Sequence, residues 1–195
     1  MIKLIHCGGR VRILIIYSWK KLWSMGTGKG SPNFYLSLKA LAGSFERVVL
    51  LHPAGLEAMM KEALPGGVEQ VTFNWPGGGR VVAQPGWMRV RKRVYILIPR
   101  LALFGLNWVL RTFSYLAFTV AAYRAAKRAA AEVGPDRVAA YGYMAVPAAK
   151  LLSRKLGVPM VTRLFGVSLG MKGFSALAQI AQFEETLSFR LGADR

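Results

Sequence analysis

The stretch "MGTGKGS", which begins at Met25, combines residue types that can hold a phosphate group. Glycine lets the backbone come close to a ligand, and backbone amides at a helix N-terminus favour a negative charge. The stretch is therefore a candidate phosphate-binding loop between a strand and a helix. Its candidate binding residues are Gly26, Gly28, Lys29, Gly30 and Ser31. A tight strand-to-helix turn that needs positive φ is the alternative explanation.

Two known phosphate-binding motifs do not match this stretch. A P-loop needs a glycine six residues before its lysine and Ser or Thr directly after it, but Trp23 and Gly30 occupy these positions around Lys29. The dinucleotide motif G-x-G-x-x-G fails because Ser31 stands in the place of the third glycine. The loop must therefore be interpreted from the elements around it.

Composition indicates one globular domain. The 195 residues are 53% hydrophobic and 18% charged, and a domain commonly takes roughly 100 to 200 residues. Cys7 is the one cysteine, and only His6 and His52 accompany it, so the sequence predicts no metal site and no disulfide. We expect a cytoplasmic protein with a single domain over residues 1–195.

The charge of the chain is strongly positive. It has 27 Lys and Arg against 9 Asp and Glu, a formal net charge of +18. Such a protein attracts polyanions, which include nucleic acid, anionic lipid headgroups and diphosphates. Dispersed basic residues and the lack of a nucleic-acid recognition motif favour the last two.

Strand-like and helical segments alternate along the chain. Short β-branched runs are typical of buried strands, and the intervening segments have helical periodicity. This alternation predicts an α/β fold of the Rossmann-like, doubly wound type with a mostly parallel sheet. The predicted strands are residues 11–18, 47–53, 68–75, 136–142 and 159–166.

A long apolar segment follows a basic cluster in the middle of the chain. Its longest uncharged runs, 101–110 and 112–123, are too short to span a bilayer. One interpretation is a crossover helix packed on the sheet, with a polar stripe in solvent. The stripe would contain Arg100, Asn107, Arg111 and Ser114. The other interpretation adds docking on an anionic membrane surface. The docking residues would be Trp87, Arg89, Arg91, Lys92, Arg93, Tyr95 and Trp108.

Three sequence segments together resemble a known enzyme family. They are "MGTGKGSPNFYLSLKALAG", "GPDRVAAYGYMAVPAAKLLSRKLGVPMVTRLFG" and "FEETLSFRLGAD". In this order they are similar to the N-terminal, acceptor-side half of a GT-B glycosyltransferase of the family 4 type. Each segment alone is weak evidence, whereas the ordered set is moderately specific.

The resemblance implies an enzyme with two Rossmann-like domains that face each other across a cleft. The N-terminal domain would receive a glycan or lipid-linked acceptor, and the C-terminal domain would bind a nucleotide-diphosphate sugar, the donor substrate. Transfer would proceed with retention, without a metal or other cofactor, and the glycine stretch and the helix after it would stabilise the leaving diphosphate. Because the segment "LGADR" is typical of a turn into another strand, we expect that the chain is truncated and that it is inactive alone.

The resemblance also implies site residues at the ends of the last two predicted strands. Ligands of open α/β sheets bind at the carboxyl ends of the strands. The candidates on the acceptor side are Tyr141, Gly142, Tyr143, Arg163, Phe165 and Gly166. Many family members have His-Gly where this chain has Phe165 and Gly166. Either Arg163 or a residue of the absent half would then contact the sugar, or the chain belongs to a divergent branch of the family. Packing at the rim of the sheet is the alternative role for the two tyrosines.

A function from another class is also compatible with the sequence. The chain could be a non-catalytic basic module that binds a membrane surface or nucleic acid. Between the two, we expect the glycosyltransferase half, with a cytoplasmic location, peripheral membrane association and a place in polysaccharide biosynthesis, and we expect no nucleic-acid partner.

Overall fold

The computed structural model describes residues 11–18, 32–54, 64–75, 97–163, 186–187 and 190. Strands and helices alternate in these ranges, as predicted, and each described strand lies within a predicted one. The order is β1 (Arg12–Tyr17), α1 (Pro32–Ser44), β2 (Arg47–Pro53), β3 (Val68–Phe73), α2 (Leu97–Val133), β4 (Arg137–Tyr141), a short 3-10 helix (Tyr143–Ala145), α3 (Val146–Leu156) and β5 (Met160–Arg163).

The strands form one parallel sheet of five strands in the order β3-β2-β1-β4-β5. Central β1 pairs with β2 on one side and with β4 on the other, so that Ile15 lies beside both Leu50 and Ala139. The chain builds outward from β1 first in one direction and then in the other. This arrangement is a Rossmann-like α/β fold, and it confirms the predicted fold class.

Helix α1 covers one face of the sheet. Its residues Phe34 and Leu38 are buried against Ile13 and Ile15 of β1, and Leu41 packs at the edge of the same cluster. The spacing of these side chains at four and three residues places them on one helix face. These side chains therefore form the buried, apolar face of α1.

Helices α2 and α3 cover the opposite face. Phe118 of α2 is fully buried and makes edge-on ring contacts with Phe73 and Trp75, at centroid distances of 5.5 and 5.1 Å. Small residues such as Ala122 and Ala126 follow on the same side of α2 and join the same core. The predicted crossover helix is thus confirmed as a packed layer of the domain.

The outer side of α2 differs from the expected polar stripe. Ser114 is half-buried, and its carbonyl oxygen accepts a hydrogen bond of 3.2 Å from Trp75 Nε1. The side chains of Arg100, Asn107 and Arg111 lie outside the described residues. The described side chains that face solvent in this half of the helix include large apolar ones, which the sequence analysis did not predict.

At the amino-terminal edge of the sheet, Asp136 joins the segment before β4 to β1. Its carboxylate accepts hydrogen bonds from the backbone N–H of Arg12 at 2.9 Å and from Arg12 Nε at 3.2 Å. These hydrogen bonds, the backbone one first, hold the pKa of Asp136 below its ordinary value near 3.8. The charged carboxylate therefore stabilises the fold above that ordinary value, and this contribution is lost as the pH falls.

We expect Asp136→Asn to destabilise the domain at pH 7, because asparagine keeps the shape but loses the charge that Arg12 binds. The difference from the parent chain should shrink as the pH falls below about 4, where the parent carboxyl also takes up a proton. Urea unfolding at a series of pH values measures this difference in the free energy of unfolding. Glu132→Gln removes the same charge from the same edge and serves as the control. A difference that persists unchanged at acid pH would contradict the assignment.

Candidate functional site

The carboxyl edge of the sheet at β1 and β4 is the place where strand order reverses. In open α/β sheets this position forms the crevice that binds ligands. Ser18, directly after β1, donates hydrogen bonds to the carbonyl oxygen of Tyr141 from its backbone N–H at 3.0 Å and from its Oγ at 3.2 Å. The two strand ends are therefore fixed to each other.

Gly142 turns the chain away from the sheet after β4. Its φ of 91° and ψ of 151° lie in a region that is essentially restricted to glycine. Its N–H donates a hydrogen bond of 2.9 Å to the carbonyl oxygen of Arg163. The glycine thus ends β4, starts the short 3-10 helix at Tyr143 and fixes the end of β5 beside it.

Replacement of Gly142 by alanine is expected to cost about 1–3 kcal/mol of stability, because a Cβ is strained at this φ and ψ. Gly43→Ala is the matched control. Gly43 lies in α1, and a Cβ there would meet nothing within 4 Å. The control should be neutral or stabilising, by up to about 1 kcal/mol. Chemical denaturation of both variants measures the effects, and equal stability of the two would contradict the assigned role of Gly142.

Arg163 brings three elements together at the end of β5. Its Nη1 donates a hydrogen bond to Ser37 Oγ of α1. Its guanidinium also hydrogen-bonds the side chain of Tyr141 and lies 5.8 Å from the centroid of that ring. These contacts with α1 and β4 hold the positive charge of Arg163 at the carboxyl edge.

Three aromatic rings pack together at the carboxyl edge next to Arg163. Phe34 stacks on Tyr17 with a centroid distance of 4.6 Å and meets Tyr141 edge-on at 5.3 Å. Burial raises the pKa of both tyrosines, and Arg163 partly opposes the rise in the pKa of Tyr141. Both phenols therefore stay neutral at pH 7, so that they add no negative charge near Arg163.

The described carboxylates lie at the other edge of the sheet. Each of them lies just before a strand, at the start of a strand, or at the end of a helix that leads into a strand. In the ranges that the structure describes, they are Glu46, Glu69, Glu132 and Asp136. Glu69 forms a paired contact with Arg47, with Nε to Oε1 at 2.7 Å and Nη2 to Oε2 at 2.9 Å. Arg12, Arg47 and Arg137 share the amino edge with these carboxylates, whereas Arg163 lies at the carboxyl edge, where an anionic ligand would meet no described carboxylate.

The structure brings several predicted site residues together at the carboxyl edge. They are Tyr141, Gly142, Tyr143 and Arg163. Tyr141 is only 6% exposed, so its ring packs in the core and its hydroxyl contacts Arg163. Tyr143 is half-buried. Contact of either tyrosine with an acceptor stays a prediction.

Other predicted site residues lie outside the described residues. These are Gly26, Gly28, Lys29, Gly30, Ser31, Phe165 and Gly166 of the carboxyl-edge site, and Trp87, Arg89, Arg91, Lys92, Arg93 and Tyr95 of the membrane site. Trp108 lies within α2, but its side chain is not among those described. The glycine stretch connects Tyr17 at the end of β1 to Pro32 at the start of α1. Its role in diphosphate binding therefore stays a prediction.

Sequence reasoning missed two residues at this edge, Ser18 and Ser37. Ser18 directly follows the central strand. Because ligands bind at the carboxyl ends of parallel strands, this position could have been predicted from the sequence. Ser37 lies in α1, and its contact with Arg163 joins residues 126 positions apart. No local pattern in the sequence predicts such a contact.

Two further features are absent from the described part of the chain. It contains no group of three or more His, Cys, Asp or Glu side chains that could hold a metal ion. Within the same ranges, no helix combines the length and apolar character needed to cross a bilayer.

The sheet and its carboxyl-edge residues define a Rossmann-like α/β domain. Two solved structures follow a similar backbone course, each at 16% sequence identity. A glycotransferase of kitacinnamycin matches with a TM-score of 0.44 over 78% of this chain and 30% of its own. A calicheamicin glycosyltransferase matches with a TM-score of 0.47 over 95% of this chain and 43% of its own. This chain spans less than half of either protein. No family model and no curated protein matches its sequence.

Proposed function

We propose that this chain forms the acceptor-side half of a glycosyltransferase of the GT-B type. The complete enzyme would move a sugar from a nucleotide-diphosphate sugar to a glycan or lipid-linked acceptor. The observation that carries the proposal is the charge arrangement of the sheet. Arg163 is fixed at the carboxyl edge, at the end of β5, and the described carboxylates lie at the amino edge. Such an edge favours the diphosphate of a donor.

The glycine stretch adds a second element to the proposal. It starts from β1, whose end is fixed to β4 through Ser18, and it leads into α1, which carries Ser37. Backbone amides of the stretch and the positive end of the α1 dipole would contact the diphosphate, and Lys29 would add a charge. Arg163 would act from the other side of the crevice, held by Tyr141 and Ser37.

Finer features of the proposal come from the sequence resemblance. They are membership of family 4, retention at the transferred sugar, a reaction that needs no metal, and binding of the donor mainly by a second domain. In this account, the chain positions the acceptor and contacts the diphosphate, while the residues that bind the nucleoside lie outside it. We also propose a cytoplasmic location and no nucleic-acid partner.

A binding experiment with the isolated chain tests this division of roles. A nucleoside diphosphate and inorganic pyrophosphate should bind with similar, weak affinity, and the matching nucleoside should not bind measurably. Isothermal titration at physiological salt measures all three. Binding of the nucleoside as tight as that of its diphosphate would overturn the proposal. So would turnover of a nucleotide sugar by this chain above a control without protein.

A further inference from the structure

Helix α2 presents a stripe of large apolar side chains to solvent. Val109, Phe113, Leu116 and Val120 are 58%, 69%, 56% and 49% exposed. Their spacing of four, three and four residues places them within about 60° of the helix circumference, at 100° per residue. The core-facing side of the same turns, with Phe118, is buried on the sheet. This part of α2 is therefore apolar on two sides, and one of them faces solvent.

The exposed stripe continues into positive charge. Arg124, Lys127 and Arg128 follow on the next turns and are exposed. Arg124 and Lys127 fall within about 80° of the apolar side chains, measured around the same helix. From Val109 to Lys127 this surface is about 27 Å long, at 1.5 Å per residue. The α2 stripe, as we call the surface from Val109 to Arg128, joins an apolar half to a cationic half.

We propose that the α2 stripe docks on the surface of an anionic lipid bilayer. Apolar side chains on an exposed helix face can enter the boundary between headgroups and acyl chains, and cations on the same face attract anionic headgroups. Each Lys or Arg near such a surface contributes to binding, and this contribution is screened by salt. Phe113 and Leu116 would enter the boundary, while Arg124 and Lys127 would contact lipid phosphates.

Charge complementarity favours this occupant over a second copy of the chain. The net charge of +18 makes two copies repel each other, whereas it draws the chain to an anionic surface. Helix α2 has a single acidic residue in its sequence, Glu132, near its C-terminal end. Nucleic acid, like an anionic bilayer, binds cationic side chains. In such a complex, however, Phe113 and Leu116 would stay exposed to water.

The α2 stripe is separate from the proposed diphosphate site. Helix α2 packs on one face of the sheet, and α1, which carries Ser37 beside Arg163, packs on the other. Loss of membrane binding and loss of diphosphate binding can therefore be observed independently. The proposal goes beyond the proposed function and does not depend on it.

The test is flotation of the chain with vesicles of phosphatidylcholine, alone or mixed with phosphatidylglycerol. We expect binding to the mixed vesicles, and a loss of about tenfold or more in the partition coefficient for F113S/L116S. The matched control is L36S/L151S, which changes two leucines of similar exposure, 54% and 49%, on other helices. This control should bind like the parent chain within about twofold.

A second pair of variants tests the cationic half. R124Q/K127Q should bind the mixed vesicles more weakly than R154Q/K155Q, which removes the same charge from exposed positions of α3. Equal binding of the two would mean that the attraction comes from total charge alone, and it would overturn the role of the α2 stripe. Thermal unfolding of each variant shows that it is folded before its binding is compared.

Other outcomes also overturn the proposal. They include failure of the parent chain to bind mixed vesicles, equal binding to neutral vesicles, and equal binding of F113S/L116S and L36S/L151S. A dimer of the parent chain in light scattering that F113S/L116S converts to a monomer would assign the stripe to a second copy. Each of these results is measurable with the same purified proteins.

Discussion

Replacement of Arg163 by glutamine is expected to weaken the binding of inorganic pyrophosphate about tenfold or more. Glutamine keeps a polar group but is shorter and loses the charge at the carboxyl edge. Hydrogen bonds to a charged group are worth about 1.5–3 kcal/mol, and 1.4 kcal/mol corresponds to a factor of ten. Isothermal titration at physiological salt, where diffuse attraction to a basic protein is screened, gives the dissociation constants.

Arg137→Gln is the matched control for this prediction. Arg137 begins β4 at the opposite edge of the sheet and is exposed, so the variant loses the same charge far from the proposed site. We expect its affinity for pyrophosphate to stay within about twofold of the parent. Equal weakening of pyrophosphate binding in both variants would show that binding depends only on the net charge of the protein. The proposed site at Arg163 would then be wrong.

Phe118→Ala is expected to lower the free energy of unfolding by about 3–5 kcal/mol, the range for truncation of a buried phenylalanine. Phe118 is fully buried between α2 and the sheet, and its ring meets Phe73 and Trp75. Alanine would leave a cavity that two aromatic rings and rigid strands cannot fill easily. Urea unfolding followed by tryptophan fluorescence measures the change.

Phe113→Ala provides the comparison on the same helix. Phe113 lies five residues earlier in the chain but is 69% exposed, so the same truncation removes few buried contacts. Its effect should stay within about 0.5 kcal/mol. A similar loss of stability in both variants would contradict the packing of α2 described above.

The layers of this domain could be predicted from the sequence because each follows from a local pattern. The run "RILIIY" of β1 is short, β-branched and apolar, as expected for a strand buried on both faces. In α1, the spacing of Phe34, Leu38 and Leu41 identifies the buried face of the helix. The carboxyl-end rule places Tyr141 and Arg163 at the same edge of the sheet, and their direct contact was not predicted.

The missing parts of the site depend on contacts between distant segments. The hydrogen bond between Arg163 and Ser37 forms because α1 packs beside the end of β4, where Phe34 meets Tyr141, and the sequence around Ser37 does not encode this. The location of the described carboxylates at the amino edge also depends on strand direction and order. The exposed apolar stripe of α2 was not predicted because that helix has apolar residues on most of its circumference. Periodicity alone then does not indicate which side packs on the sheet.

The central claim is that the carboxyl edge of the sheet binds the diphosphate of a donor. Its most direct test is a titration of the isotope-labelled chain with a nucleoside diphosphate, followed by the backbone amide signals in NMR spectra. Signals of Ser18, Gly142 and Arg163 should shift with one common dissociation constant. Those of Arg12, Arg47 and Asp136 at the amino edge should stay unchanged. Shifts concentrated at the amino edge, or spread evenly over the basic surface of the protein, would contradict it.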